Sequence, residues 1–306
     1  MSNFYKLLNK LNLSKLFTVF FLFINLFVFE LIGQEINHKI SFTHDNDLYF
    51  ITDRYYSAGN HLSYTTRIKN SDNKLSILNF TLGQNIYTPD KKALPDTTRF
   101  DRPFAGWLFF KTEFTQSSED EIWSWQLDLG LTGPQSLADN AQRNYHRLIG
   151  EQLPSWYLQI PNDFHSNVGL RFQKGFSENK FISYTKAKLG TKDIYIQNGV
   201  ELFWGSHHRF NQNSFTGMPK HNDKEWFVNF GSYYKYVFYN ALIEGHLFNN
   251  NAVFTKNITN HLLLFKLRGF YLWKKNSIEA TYHFNTKENS EAKSQSYLSI
   301  TLSKYF

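Results

Sequence analysis

From Ile40 onward, apolar and polar residues alternate over many short segments, separated by turns rich in charge, amides or glycine. WQLDLGL, starting at Trp125, and YLSITLSKY, starting at Tyr297, show the two-residue period most plainly. A period of two puts successive side chains on opposite faces, so each segment reads as a β-strand with two chemically different sides. Read turn by turn, strands are predicted at ISFTHDN, from YSAG to Arg67, and at LSILNFTLGQNIY, RPFAGWLFFKTEFTQ, EIWSWQLDLGLTG, VGLRFQKGF, FISYTKAKLGT and IYIQNGVELFWG. The later half adds WFVNFGSYYKYVFYN, ALIEGHLF, HLLLFKLRGFYLWKK, SIEATYHFNTKE and QSYLSITLSKYF. The total is about twelve strands. No long amphipathic helix is predicted.

Two architectures fit such a pattern. A soluble sandwich buries its apolar face in a shared core, whereas an outer-membrane barrel turns that face to lipid around a polar lumen. Several segments reach the roughly 10 residues that a tilted strand needs to cross hydrocarbon. Tyr, Trp and Phe recur at their ends, as interfacial girdles require. The final strand, closing on Phe306, resembles the carboxy-terminal strand of bacterial outer-membrane proteins, whose terminal aromatic is read by the insertion machinery. At the other end, Lys6, Lys10 and Lys15 precede the apolar block LFTVFFLFINLFVFELIG. That order fits a signal peptide over residues 1–34 with cleavage near Gly33, the alternative being an uncleaved anchor. Residues 35–306 are then expected to form a single domain. The favoured class is all-β, a transmembrane antiparallel β-barrel of about twelve strands in the outer membrane of a Gram-negative bacterium.

Composition sharpens this picture in three ways. Aromatic residues make up 18% of the 306, with 31 Phe and 18 Tyr, yet the mean hydropathy is only -0.46, so the apolar side chains are interleaved with polar ones. The net charge of +7 is scattered and forms no concentrated basic face, which argues against nucleic acid as a partner. Cysteine is absent, which excludes disulfides, thiolate catalysis and thiolate-bound metals.

Polar residues with chemical potential fall into three clusters. HDNDLYFITDRYYSAG carries Asp45, Asn46, Asp47, Asp53, Arg54 and Ser57; QNIYTPDKKALPDTTRFDRPFAG carries Gln84, Asn85, Lys91, Lys92, Arg99, Asp101 and Arg102; AQRNYHRLIG carries Gln142, Asn144, His146 and Arg147. A histidine can deprotonate water, an amide can donate to an oxyanion, carboxylate oxygens suit calcium, and Lys or Arg can hold phosphate. The same residues also suit a polar lumen and solvated turns. His207 and His208 are assigned to a loop or rim, and His246, His261 and His283 to packing or lumenal hydrogen bonds. HxxxH, P-loop and GxSxG patterns do not occur.

Taken in order, ISFTHDNDLYF, DRYYSAG, GQNIYTP, DRPFAGW, AQRNYHRLIG and PSWYLQI resemble the outer-membrane lipid A 3'-O-deacylase family over most of residues 38–162. The resemblance implies a twelve-stranded barrel with an active site between lumen and outer rim on the external side. It also implies hydrolysis of the 3'-linked acyloxyacyl ester of lipid A with a divalent cation, usually calcium. Carried over by motif, His146 activates water, Asn46 and Ser57 assist catalysis, and Asp47 with Asp45 provides metal ligands. The register of the pair is open between Asp45-Asn46 and Asn46-Asp47. Lys91, Lys92, Arg102 and Gln142 are the implied substrate contacts. A covalent route through Ser57 is the mechanistic alternative. The implied partners are lipid A or lipopolysaccharide, the surrounding outer-membrane lipids and the insertion machinery during assembly, with the chain a monomer. The departures are GEQLPSWYLQI, where many relatives have Gly before Trp, and Leu153 in place of an aromatic. An outer-membrane phospholipase and a porin-like barrel are the competing functions.

Overall fold

The computed structural model describes residues 36–306 except 51, 53, 72, 91–98, 207 and 221–223. The leader assigned to residues 1–34 lies outside them, as do Asp53, Lys91, Lys92 and His207.

Twelve strands close into one antiparallel barrel in chain order: β1 (His38–Asn46), β2 (Tyr55–Asn70), β3 (Leu75–Thr88), β4 (Ala105–Ser117), β5 (Glu121–Thr132), β6 (Asp163–Phe176), β7 (Phe181–Gly190), β8 (Asp193–Gly205), β9 (Glu225–Asn240), β10 (His261–Trp273), β11 (Asn276–Asn285) and β12 (Gln295–Tyr305). The ring is sealed where β1 meets β12, with Phe42 opposite Leu302. The small polar residues of YLSITLSKYF form part of this seam: Ser41 and Ser303 hydroxyls lie 2.9 Å apart, and those of Thr43 and Thr301 2.8 Å apart. Closure is needed in lipid, because an unpaired strand edge would leave backbone donors and acceptors unsatisfied at several kcal/mol each.

Which way the apolar face points separates the two architectures. On β5, Trp125, Leu127 and Leu129 are 45%, 43% and 37% exposed, while Ser124 and Asp128 at alternate positions are 2% and 4% exposed. The apolar set therefore faces outward and the polar set faces the lumen, the reverse of a soluble sandwich. Charges inside are paired along the lumenal wall over one intervening strand, as in Lys188 with Asp128 at 2.7 Å and Arg171 with Glu113 at 3.3 Å.

Short turns join the strands at the rim that holds Ile36 and Phe306, and longer connections carry the helices at the opposite rim. By the usual asymmetry of such barrels the first rim is periplasmic and the second extracellular. One periplasmic connection, between β8 and β9, departs from this rule. It folds inward, burying Phe210, Phe215 and Met218 against Ile77, Phe203, Phe227 and Tyr305. Lys39 Nζ donates to the Gly217 carbonyl at 2.7 Å, which ties this inserted segment to β1. The lumen thus has an apolar floor in place of a wide passage.

Two sequence expectations change here. ALIEGHLF is not a strand: Asn240 caps a short helix, α2 (Ala241–Glu244), through the Leu242 amide at 3.0 Å, and Gly245 at φ 86° ends it. AQRNYHRLIG belongs to a helix of 12 residues, α1 (Ala138–Ile149), closed by Gly150 at φ 74°.

Candidate active site

Strand alternation divides the HDN run between two faces of the wall. Lys39, Ser41 and Thr43 line the lumen beside Glu113 and Arg171, and Asp45 continues that face. Its carboxylate accepts a 2.6 Å bond from the Tyr56 hydroxyl and lies 4.0 Å from His61. His44 and Asn46 point to the outer side. There they share a cleft of about 150 Å³ with Leu48, Ser57, Ala58, Asn60 and Ile86 of the wall and with Ala141, Gln142, Tyr145 and His146 of α1.

A β-bulge puts Ser57 in this cleft. The pairing of β2 with β3 shifts register between Tyr56 and Ala58, so Tyr56 keeps its hydroxyl on lumenal Asp45 while Ser57 takes the extra position. Asn46 is fixed by its own backbone, its Oδ1 accepting from the Leu48 amide at 2.7 Å.

The helix presents its part of the cleft through four-residue spacing. Ala138, Gln142 and His146 are its buried residues and fall on one stripe. Gly106 of β4 lets that stripe lie against the wall: a Cβ there would meet Ser136 Oγ at 1.9 Å and Ala138 Cβ at 2.4 Å. Gln84 reinforces the contact by donating to the Ser136 carbonyl at 2.6 Å. Trp156 Nε1 donates to Gln142 Oε1 at 2.8 Å, turning the Gln142 amide nitrogen toward Ser57 Oγ at 3.4 Å. His146 Nδ1 lies 2.7 Å from the Gln152 carbonyl. A carbonyl only accepts, so in the neutral ring Nδ1 carries the proton and Nε2 is the basic nitrogen. Burial, with Tyr49 nearby, raises the Tyr145 phenol above its ordinary range, so it stays protonated at neutral pH.

Asp47 sits where β1 ends and is fully buried, its Oδ2 accepting from the Arg54 amide at 2.8 Å and from Thr52 Oγ1 at 3.0 Å. Asp47 and Asn46, neighbours in the chain, both carry side-chain oxygens, the ligand type that hard cations take.

The family model described as "Outer membrane protein LpxR" matches residues 16–306. The chain belongs to the LpxR family. It is thus a multi-pass β-barrel of the Gram-negative outer membrane. Among solved structures, LpxR from Salmonella typhimurium is similar with a TM-score of 0.76 at 20% identity, over 88% of this chain and 100% of that chain. An outer membrane channel from Pseudomonas putida F1 has a TM-score of 0.43 at 10% identity, over 91% of this chain and 98% of its own. The β domain of the Bordetella autotransporter BrkA has 0.40 at 8% identity, over 89% and 99%, and neither of these two adds an argument. No curated protein sequence matches.

In this LpxR-family barrel, Asn46, Ser57, Gln142 and His146 come together and Asp47 adjoins them in the chain. Two expected site residues lie elsewhere. Asp45 faces the lumen, because adjacent strand residues point to opposite sides. Arg102 is 1% exposed, paired with Glu288 at 3.0 Å and stacked 4.8 Å from the Tyr87 ring, so it fastens rim loops together and is closed to a substrate phosphate. The cleft also lies on the outward face of the wall and not toward the lumen.

Sequence reasoning passed over three polar lining residues. His44, whose Nδ1 is 2.9 Å from Asn60 Oδ1, could have been found by stepping back two positions from Asn46. Asn60 follows by pairing with His44 across β1 and β2, and Tyr145 by its place beside His146. His283 makes the lumenal hydrogen bond expected of it, to Ser299, whereas His261 bonds Tyr234 on the outward face.

Proposed function

We propose that this LpxR-family member hydrolyses the 3'-linked acyloxyacyl ester of lipid A, with His146 as the base. The observation that carries this reading is the position of the cleft: a histidine, an amide and a hydroxyl converge on the lipid-facing side of the wall near the extracellular rim. Exposed Leu148 and Leu153 nearby, with exposed Tyr49 and Phe50, give acyl chains an apolar border.

In the proposed reaction, His146 Nε2 takes a proton from water as the water oxygen bonds to the ester carbonyl carbon. The resulting tetrahedral oxyanion collapses and breaks the bond to the sugar 3'-oxygen. That oxygen recovers the proton from His146, leaving a free 3'-hydroxyl and a released acyloxyacyl acid. Ser57, held by Gln142, orients the attacking water and the ester. Asp47 and the Asn46 amide oxygen would hold calcium, which supplies positive charge to the carbonyl oxygen when bound.

Mass spectrometry of lipid A incubated with the purified protein and calcium tests the reading directly. Loss of one 3'-acyloxyacyl chain is the expected result. Intact lipid A beside hydrolysed glycerophospholipid would replace it with a phospholipase, and no hydrolysis of either would reject the enzyme. Gly106→Val tests whether the helix must lie against the wall. The added methyl groups push α1 outward, so turnover should fall by about tenfold or more from misplaced catalytic geometry. The heat-modifiable gel mobility of the folded barrel should remain; full turnover would show that the close approach is dispensable.

A further inference from the structure

Among the described residues, one group of imidazole and carboxylate side chains converges closely enough to share an ion, outside the cleft. One donor atom from each of Asp163, His165 and His246 lies within 4.8 Å of the others. The geometry points to a second metal site here, one that takes a single zinc-class divalent cation through two imidazoles and one carboxylate.

The details support ligation at defined atoms. His246 Nδ1 and Asp163 Oδ2 are 2.9 Å apart, close to the spacing of two donors on one tetrahedral ion with bonds of about 2.0 Å. The other nitrogen of His246 faces Thr132 Oγ1 at 3.2 Å, and His165 Nδ1 faces Thr191 Oγ1 at 3.2 Å. Thr132 Oγ1 also lies 3.4 Å from His165 Nε2, so hydroxyls hold both nitrogens of that ring, and a bound cation would replace the longer Thr132 contact at Nε2 while Thr191 and Thr132 orient the two rings as outer partners. The His165 and His246 rings meet at 76° with centroids 4.9 Å apart. His165 is 1% exposed and His246 7%. The apo contacts, Asp163 with His246 and His165 with the Thr132 and Thr191 hydroxyls, are those a cation would displace or keep as outer partners.

Position gives the site a purpose. Thr132 ends β5 and Asp163 begins β6, so the cluster marks both roots of the connection that carries α1 and His146. His246 comes from the segment following α2 in the β9–β10 connection. A cation here fastens two extracellular connections of a protein that has no cysteine to cross-link them. Nitrogen donors make the site selective for zinc-class ions over calcium, which takes oxygen ligands.

Cobalt is the probe, because its visible absorption reports low coordination number. Folded protein in detergent, stripped with chelator, should bind one equivalent of Co2+ with intense visible bands that zinc displaces and calcium does not. The His165→Ala/His246→Ala double variant should lose the bands, and His146→Ala should keep them. Asp163→Asn, which retains a polar side chain of the same shape, should weaken Co2+ binding by about tenfold or more and covers the case in which the double variant does not fold. Absence of binding by the parent protein, undiminished Co2+ affinity in Asp163→Asn, or bands that survive in the folded double variant would overturn the site.

Discussion

His146→Ala is expected to cut acyl-chain release from lipid A by about 10³-fold, the middle of the range for losing a positioned general base. That loss corresponds to about 4 kcal/mol of transition-state stabilisation. The ring's place in the last turn of α1 also favours the imidazolium formed when it takes the proton, but a helix terminus contributes only about 0.3–1 kcal/mol. Proton transfer is therefore the larger share of what the variant removes. The barrel does not need the imidazole to close, so heat-modifiable mobility should persist. Turnover near the parent rate would sink the base assignment and move attention to His44, the other imidazole of the cleft.

Asp47→Asn should raise the calcium concentration needed for half-maximal activity by about tenfold or more, because removing one anionic oxygen removes most of the attraction to a hard dication. The amide oxygen can still accept from the Arg54 backbone, so the variant separates charge from local structure. Activity titrated against calcium in chelator-buffered solution gives the answer. A curve superimposable on the parent's would reject Asp47 as a ligand, while a lower plateau at unchanged half-saturation would assign it to shaping the cleft.

The strand architecture was legible because one physical requirement, lipid on one side and polar lumen on the other, is written into every strand at period two. The helix that carries His146 was not legible for a related reason. Its buried stripe consists of Ala138, Gln142 and His146, two of them polar, so hydrophobic periodicity has nothing to register. ALIEGHLF misled in the opposite direction, since Ala241, Leu242 and Ile243 are buried, yet in a single helical turn. Choosing between Asp45 and Asn46 needed strand register, which assigns neighbours to opposite faces and which the motif alone left open. Arg102 looked like a phosphate contact because its partner Glu288 lies 186 positions away, beyond the reach of local pattern.

The outward opening of the cleft changes what concentration means for such an enzyme. Under the proposed function, a substrate lipid would reach it by sliding sideways within the leaflet, so encounter frequency would follow the number of substrate molecules per unit of membrane area. Bulk dilution of the vesicles leaves that number untouched, whereas inert lipid or extra detergent lowers it. On the proposed function, turnover would then follow the crowding and fluidity of the leaflet, and a molecule lodged in the lumen would stand outside the path by which substrate arrives.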